Sequence, residues 1–367
     1  MELGMVQVMP SFGWQGVSDQ QVYDEEVRQA VLADELGYDH LWVVEHHFED
    51  YSFCPDNFVY LAHIAALTRR IRLATGAVIL PWNIQPLRVA EKAALLDTLC
   101  GGRLILGLGR GLSRREFSQF GISMEEARDR FDEMAPMILE ALETGVMEEH
   151  HGRHFDQPRA PLRPKPFKSF RDRTAQVAMS SDSVQVAARL GVQMMSFYFK
   201  PDEAHRAEFD TYRAAFRQQH GKAPKPPLLA LMTVCDSDAA RARENAERHC
   251  ATYFRSIVYH YEMMNEHFAK TKGYTEYGAG AEAMRAAGLE DVVRAYVDQQ
   301  LWGTPDQILR KLEARRAAVG DVGVLCAFRY GGSPFEVSER SMRLFAAEVL
   351  PVARAWQSPP EQRQAAE

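Results

Sequence analysis

Short apolar, β-branched runs alternate with longer amphipathic segments along nearly the whole chain, and this alternation constrains the fold more than any other feature. A strand followed by a helix returns the chain to the same end of a sheet, so consecutive strands lie parallel with right-handed crossovers. Strand-like runs cover residues 3–9, 39–45, 71–79, 104–108, 175–179, 193–199, 229–234 and 322–328. Helix-like segments cover 22–36, 58–67, 86–99, 125–142, 183–190, 202–219, 239–254 and 338–356. The third of these opens on Pro86 and stops at Gly101-Gly102, which are helix start and stop signals. Eight such units can close into a barrel, whereas an open doubly wound sheet usually stops earlier. The expected fold is one α/β domain over residues 1–356, a (β/α)8 TIM barrel, followed by a frayed polar tail at 357–367.

Two segments exceed the minimal repeat. Residues 150–170 carry Pro158, Pro161, Pro164 and Pro166 among basic residues and should form an irregular excursion before the fifth strand. Residues 259–289 form a long insertion after the seventh strand, with Lys270-Thr271-Lys272-Gly273-Tyr274 and Gly278-Ala279-Gly280 inside it. Catalytic faces of such barrels lie at the strand C-termini, so an insertion there is placed to act as a lid.

The bulk numbers narrow the class of partner. A net charge of −7 in 367 residues gives no reason to expect nucleic acid or an anionic membrane. The N-terminal residues lack a basic region, their apolar run stops at Pro10, and no long uncharged apolar stretch follows; a cytoplasmic location is expected. Five cysteines without a CxxC pair argue against structural zinc and against a disulfide framework.

Barrel logic directs attention to the polar residues just past each strand. The second strand ends in Glu45-His46-His47-Phe48, the third leads through Gly76-Ala77 to Leu80-Pro81-Trp82-Asn83, and the fourth delivers Gly109-Arg110-Gly111-Leu112-Ser113. The fifth delivers Met179-Ser180-Ser181-Asp182-Ser183 into a helix. Ser180 and Ser183 would offer hydroxyls and backbone N–H groups where the helix dipole favours an anion, although ordinary capping explains them as well. Arg110, flanked by glycines, can approach a phosphate closely and grip it bidentately. Gly107-x-Gly109-x-Gly111 is a weak match to a dinucleotide fingerprint, since the third spaced glycine is absent. Adjacent His46 and His47 point to opposite faces, so no metal site is expected.

In their order and spacing, Leu41 to Phe48, Gly76 to Pro81, Gly102 to Leu112 with Phe117 and Phe120-Gly121, Val177 to Ser180 and Gly303 to Gln307 resemble the bacterial luciferase-like monooxygenases. The similar segments run from about Gly4 to Pro351. The resemblance implies a barrel that binds reduced FMN (FMNH2), supplied by a separate NAD(P)H-dependent flavin reductase. Oxygen would add at flavin C4a to give a (hydro)peroxyflavin that oxygenates a small apolar substrate, by Baeyer–Villiger or hydroxylation chemistry. It assigns proton transfer to His46, with Glu45 and His47 positioning it. It places Gly76 and Ala77 beside the isoalloxazine ring, the Leu112 backbone at the flavin pyrimidine, Arg110, Arg128, Ser180 and Ser183 around the phosphate, and Gly111 and Met179 among the other cofactor-binding residues. The Lys270–Tyr274 loop matches a mobile lid, and a homodimer packed through helices 57–67 and 86–99 is implied.

The sequence also departs from luciferase. Gly109 stands where luciferase has a reactive cysteine, Met179 replaces a carboxylate, and Ser113 replaces a tyrosine. Trp82, Phe197, Tyr198 and Met232 are the substrate-pocket candidates. The alternative within the same superfamily is an F420-dependent hydride-transfer oxidoreductase, whose deazaflavin also carries a phosphate.

Overall fold

The computed structural model describes residues 1–11 and 16–356, so the tail expected at 357–367 lies outside the described residues. Eight strands form the barrel: β1 (Leu3–Gln7), β2 (His40–Val43), β3 (Arg72–Thr75, resuming as Val78–Ile79), β4 (Leu104–Gly109), β5 (Thr174–Val177), β6 (Gln193–Phe197), β7 (Leu228–Cys235) and β8 (Gly323–Ala327). Each pairs in parallel with its neighbour in chain order, except that the ring closes where β8 meets β1, Val324 opposite Leu3. The fourth and fifth strands close the other long gap, with Thr174 opposite Leu106. All eight expected runs are therefore strands.

Side-chain alternation divides the core in two. Leu41, Val43, Leu73 and Leu104 face outward into the layer between strands and helices. Trp42, Ala74, Ile105, Met195 and Leu325 face inward and fill the barrel. The interior is crowded enough to require glycine. A Cβ at Gly107 would stand 1.9 Å from the Thr75 carbonyl oxygen and 3.0 Å from the Trp42 ring. Thr75 uses the room so freed, its hydroxyl donating to the Gly107 carbonyl at 2.9 Å and accepting from the Gly107 N–H at 2.8 Å.

The surrounding helices are α1 (Asp19–Leu36), α2 (Asn57–Leu67), α3 (Pro86–Leu99), the short α4 (Arg114–Gln119), α5 (Ala127–Thr144), α6 (Ser181–Leu190), α7 (Asp202–His220) and α8 (Ala239–His260). The expected excursion at 150–170 contains two short antiparallel pairings, His150 with Gln157 and Val146 with Pro161. It is tied down by Glu133, which accepts backbone N–H groups of His154 and Phe155.

The long insertion expected after β7 is mostly helical. Helix α8 runs six residues further than the sequence pattern, to His260, and α9 (His267–Lys270), α10 (Thr275–Ala287) and α11 (Leu289–Gln299) follow. Gly278 and Gly280 suggest a loop by propensity, but Gly278 sits inside α10 because the Ala269 backbone passes 2.7 Å from where its Cβ would stand. Leu301–Gly303 then adds a short strand beside β7, and α12 (Pro305–Val319) starts on a capping box between Thr304 and Gln307.

All five cysteines are buried and unpaired. Burial raises the Cys235, Cys250 and Cys326 thiols to about 12, and raises Cys54 and Cys100 as well. Among the described residues no helix is long and apolar enough to cross a membrane.

Candidate active site

A cavity of about 320 Å³ lies at the C-terminal ends of the strands, between the barrel mouth and the helices α9 to α11. That is within the range of small-molecule sites. His46, Gly76, Ala77 and Leu112 line one side, and Arg110, Gly111, Met179 and Ser183 line another. Phe197, Phe199, Phe254, Met284 and Val292 make an apolar recess. The peptide bond between Gly76 and Ala77, at the interruption of β3, is cis.

The anion end is built where β5 turns into α6. Ser180 caps that helix, its hydroxyl accepting from the Ser183 N–H and lying 2.9 Å from the Ser183 hydroxyl. Arg128, on the first turn of α5, donates from Nη2 to Ser183 Oγ at 3.2 Å. Its Nε and Nη1 are buried without a hydrogen-bond partner, Asp132 being 3.8 Å away. Burial and the neighbouring Arg110 cation push the Arg128 guanidinium down. Two close cations beside a helix N-terminus, with unsatisfied N–H groups, fit a phosphate dianion. The cradle suits the phosphate that a flavin mononucleotide carries, and Gly76, Ala77 and Leu112 line the same cavity.

The segment after α9 covers this end. Arg110 Nη1 donates to the Gly273 carbonyl at 2.7 Å, and its guanidinium lies 4.0 Å from the Tyr274 ring centre. Tyr274 donates from its hydroxyl to the Gly111 carbonyl at 2.9 Å, and Lys272 pairs with Asp129 at 2.9 Å. The expected lid loop thus rests on the same arginine that reaches into the anion end.

His46 also borders the cavity, held by groups that strand-end reasoning does not reach. Its Nδ1 lies 3.1 Å from Glu116 Oε1 and its Nε2 lies 3.3 Å from the Tyr261 hydroxyl. Glu116 is buried, which alone would raise its carboxyl, but His46, His260 and the His47 N–H hold it below the ordinary carboxylate range. The Glu116, His260 and Tyr261 side chains come from α4 and the end of α8, 70 to 215 residues away along the chain. Ser113-x-x-Glu116 reads in sequence as a capping box, and Ser113 does cap α4. The Glu116 carboxylate is turned inward to the histidines instead of back to the cap, a choice that local sequence does not reveal.

Several expected residues lie elsewhere than anticipated. His47 faces away from the cavity, packed among Phe48, Trp82 and Phe120 and 3.5 Å from Glu45. Glu45 borders the cavity but is occupied structurally: Trp82 Nε1 donates to it at 2.7 Å and the Ile79 N–H at 3.1 Å. Burial raises its carboxyl despite these bonds. Trp82 and Phe197 do border the cavity. Tyr198 does not; it follows β6 on the outer face, stacks on His205 of α7 and donates to Asp202. Met232 lies within the packed barrel interior. Strand parity explains Tyr198, since Phe197 and Tyr198 are neighbours and only one of them can point inward.

Comparison with known proteins places this geometry in a wider set. The family model described as luciferase-like monooxygenase matches residues 1–321. The chain is 27% identical over 342 residues to the alkanal monooxygenase alpha chain of Photobacterium leiognathi, covering 92% of this chain and 95% of that one. It is 29% identical over 231 residues to the oxygenase component of a flavin-dependent trigonelline monooxygenase of Acinetobacter baylyi, 60% of this chain and 63% of that one. The solved structure of the monooxygenase RslO1 from Streptomyces bottropensis superimposes with a TM-score of 0.78 at 30% identity, covering 96% of this chain and all of the other.

Proposed function

We propose that this chain, which belongs to the luciferase-like monooxygenase family, is the oxygenase component of a two-component system that uses reduced FMN and O2 to oxygenate a small apolar substrate. The observation that carries the reading is the cavity's polarity. An anion cradle carrying Arg110, a half-buried histidine held by a carboxylate, and an apolar recess all border the same cavity. Bound reduced FMN would supply the activation of O2.

The protein's own contribution follows from the geometry. Arg110, Arg128, Ser183 and the capped N-terminus of α6 bind the phosphate and so fix the ring's position along Gly76, Ala77, Gly111 and Leu112. Ser180 positions Ser183. Glu116 keeps His46 oriented, so that Nε2 can hold or release a proton toward the cavity. The lid over Arg110 excludes water, which would otherwise compete in the reaction. Phe197, Phe199 and Phe254 favour an apolar substrate over a charged one. The reduced cofactor would arrive from a separate NAD(P)H-dependent flavin reductase, as the oxygenase-component relative suggests. Exposed apolar side chains on α2 and α3, with Val59 68% and Leu99 60% accessible, suit a homodimer packed through those helices.

F420-dependent hydride-transfer enzymes share the fold, and one experiment separates the readings. The protein is mixed with photoreduced FMN under argon, then with 18O2 and a panel of apolar ketones and aromatics. One labelled oxygen atom in the product is expected. Tight binding of reduced F420, hydride transfer from it and no label would replace this reading with the deazaflavin one.

A further inference from the structure

We propose that His46, Glu116, His260 and Glu49 form a proton relay through the loops and helix ends at the barrel mouth, joining the cavity to an outer groove so that protons exchange with solvent while the lid stays closed. The inference rests on reading the cavity as an oxygenase site. His46 borders the cavity, whereas Glu49 lines a second groove with Phe48, Arg255 and Tyr259. That groove faces solvent, Phe48 and Tyr259 being among the most exposed large apolar residues.

Between the two openings the polar atoms form a line of two short contacts and one longer step. His46 Nδ1 lies 3.1 Å from Glu116 Oε1, Glu116 Oε1 lies 3.8 Å from His260 Nε2, and His260 Nδ1 lies 2.9 Å from Glu49 Oε2. The His260 side chain is fully buried, with Nε2 lacking a hydrogen-bond partner, and the Glu116 side chain is 2% exposed. The imidazole in this dry place bonds an outer carboxylate through one nitrogen and aims the other at an inner carboxylate. The other groups facing it are Tyr51, stacked at 4.5 Å, and Tyr261, edge-on at 4.7 Å. Burial raises both tyrosine hydroxyls, so neither competes as an acid. At the outer end Glu49 is paired with Arg115, which lies over the Tyr259 ring.

The resting protonation suits transfer. Burial lowers His260, while its own bond and Arg115 hold Glu49 below the usual carboxylate range. Glu116 is held low as well. Near neutral pH the chain is carboxylate, neutral imidazole, carboxylate. For export, the His46 Nδ1–H bond breaks as Glu116 Oε1–H forms, and that proton passes to His260 Nε2. The His260 Nδ1–H proton leaves to Glu49 and then to solvent. One proton moves, no electrons are exchanged, and His260 ends in its other tautomer. A proton carried inward later in the cycle restores it, so the relay is matched to a reaction that takes a proton and returns one.

The test uses Glu49→Gln and His260→Asn in the full chain, with two readouts. In turnover, product formation should fall about 10- to 100-fold and become dependent on buffer concentration, with affinity for reduced FMN unchanged. Added imidazole should partly restore His260→Asn. The second readout needs no turnover: 15N-histidine spectra of the resting protein should show His260 protonated at Nδ1, and Glu49→Gln should shift that tautomer balance. Wild-type rates and isotope effects in both variants would overturn the relay even if the enzyme oxygenates. An Nε2–H tautomer unaffected by Glu49→Gln would overturn it even if the enzyme does not. Equimolar uptake of Zn2+ by His46, Glu116 and His260 would also overturn it, since those atoms would then hold a cation instead of passing protons. Glu49 lies at the outer end, so its variant keeps the test open should His260→Asn fail to fold.

Discussion

Arg128 has two buried N–H-bearing nitrogens without a hydrogen-bond partner among the described residues, with the Asp132 carboxylate 3.8 Å from one of them. An orphaned cation of that kind is costly unless an anion completes it. Arg128→Ala and Arg110→Ala should therefore weaken FMN binding by about 10- to 100-fold while changing riboflavin binding little, because only FMN presents the phosphate. Equal losses for both flavins, read by fluorescence quenching, would place the phosphate elsewhere. His205 supplies a second residue-level prediction. It is buried against Tyr198, and burial, with the Lys200 cation, lowers its imidazole from 6.5 to about 4. The unfolded chain therefore takes up a proton that the folded one refuses, so stability present above pH 6.5 is lost as pH falls toward 4. His205→Phe should reduce the loss between pH 7 and pH 4.5 by on the order of 2 kcal/mol, measured by urea unfolding at both pH values. An unchanged pH slope would mean that the imidazole already titrates normally.

At the scale of elements, the strands were legible and the segment after the seventh strand was not. Barrel strands buried on both faces must be continuous apolar runs, so their positions show directly in the sequence. Ser180 and Ser183 were legible because they begin a helix immediately after a strand. The partners of His46 were not, since Glu116 looks like a cap and His260 and Tyr261 lie where α8 outruns its amphipathic pattern. Glycines 278 and 280 misdirected the reading of α10, where close packing on Ala269 outweighs propensity. The lid over the anion end yields a prediction of its own. Tyr274→Phe removes the bond from the Tyr274 hydroxyl to Gly111, worth about 1 kcal/mol. Trypsin should then cut at the exposed Lys270 and Lys272 several-fold faster, and equal cleavage rates would show that this bond does not hold the segment down.

At the scale of the whole molecule, the barrel leaves one sector of its helical layer apolar on the outside. Val59 and Leu67 of α2 and Leu95 and Leu99 of α3 are all exposed, although the surfaces of most other helices are charged. A double substitution, Val59→Asp with Leu95→Asp, should convert a dimer into a 41.6 kDa monomer in sedimentation equilibrium and leave the barrel's circular dichroism intact. A wild-type protein that already sediments as a monomer would refute the interface. The placement of the thiols matters for a different reason. Any oxygenase that misfires releases peroxide beside its own side chains, and sulfur oxidation follows exposed thiolates. With all five thiols buried and their acidity suppressed, the fold withholds the commonest target of that by-product. Peroxide released in such a turnover would meet no exposed thiolate on the described surface.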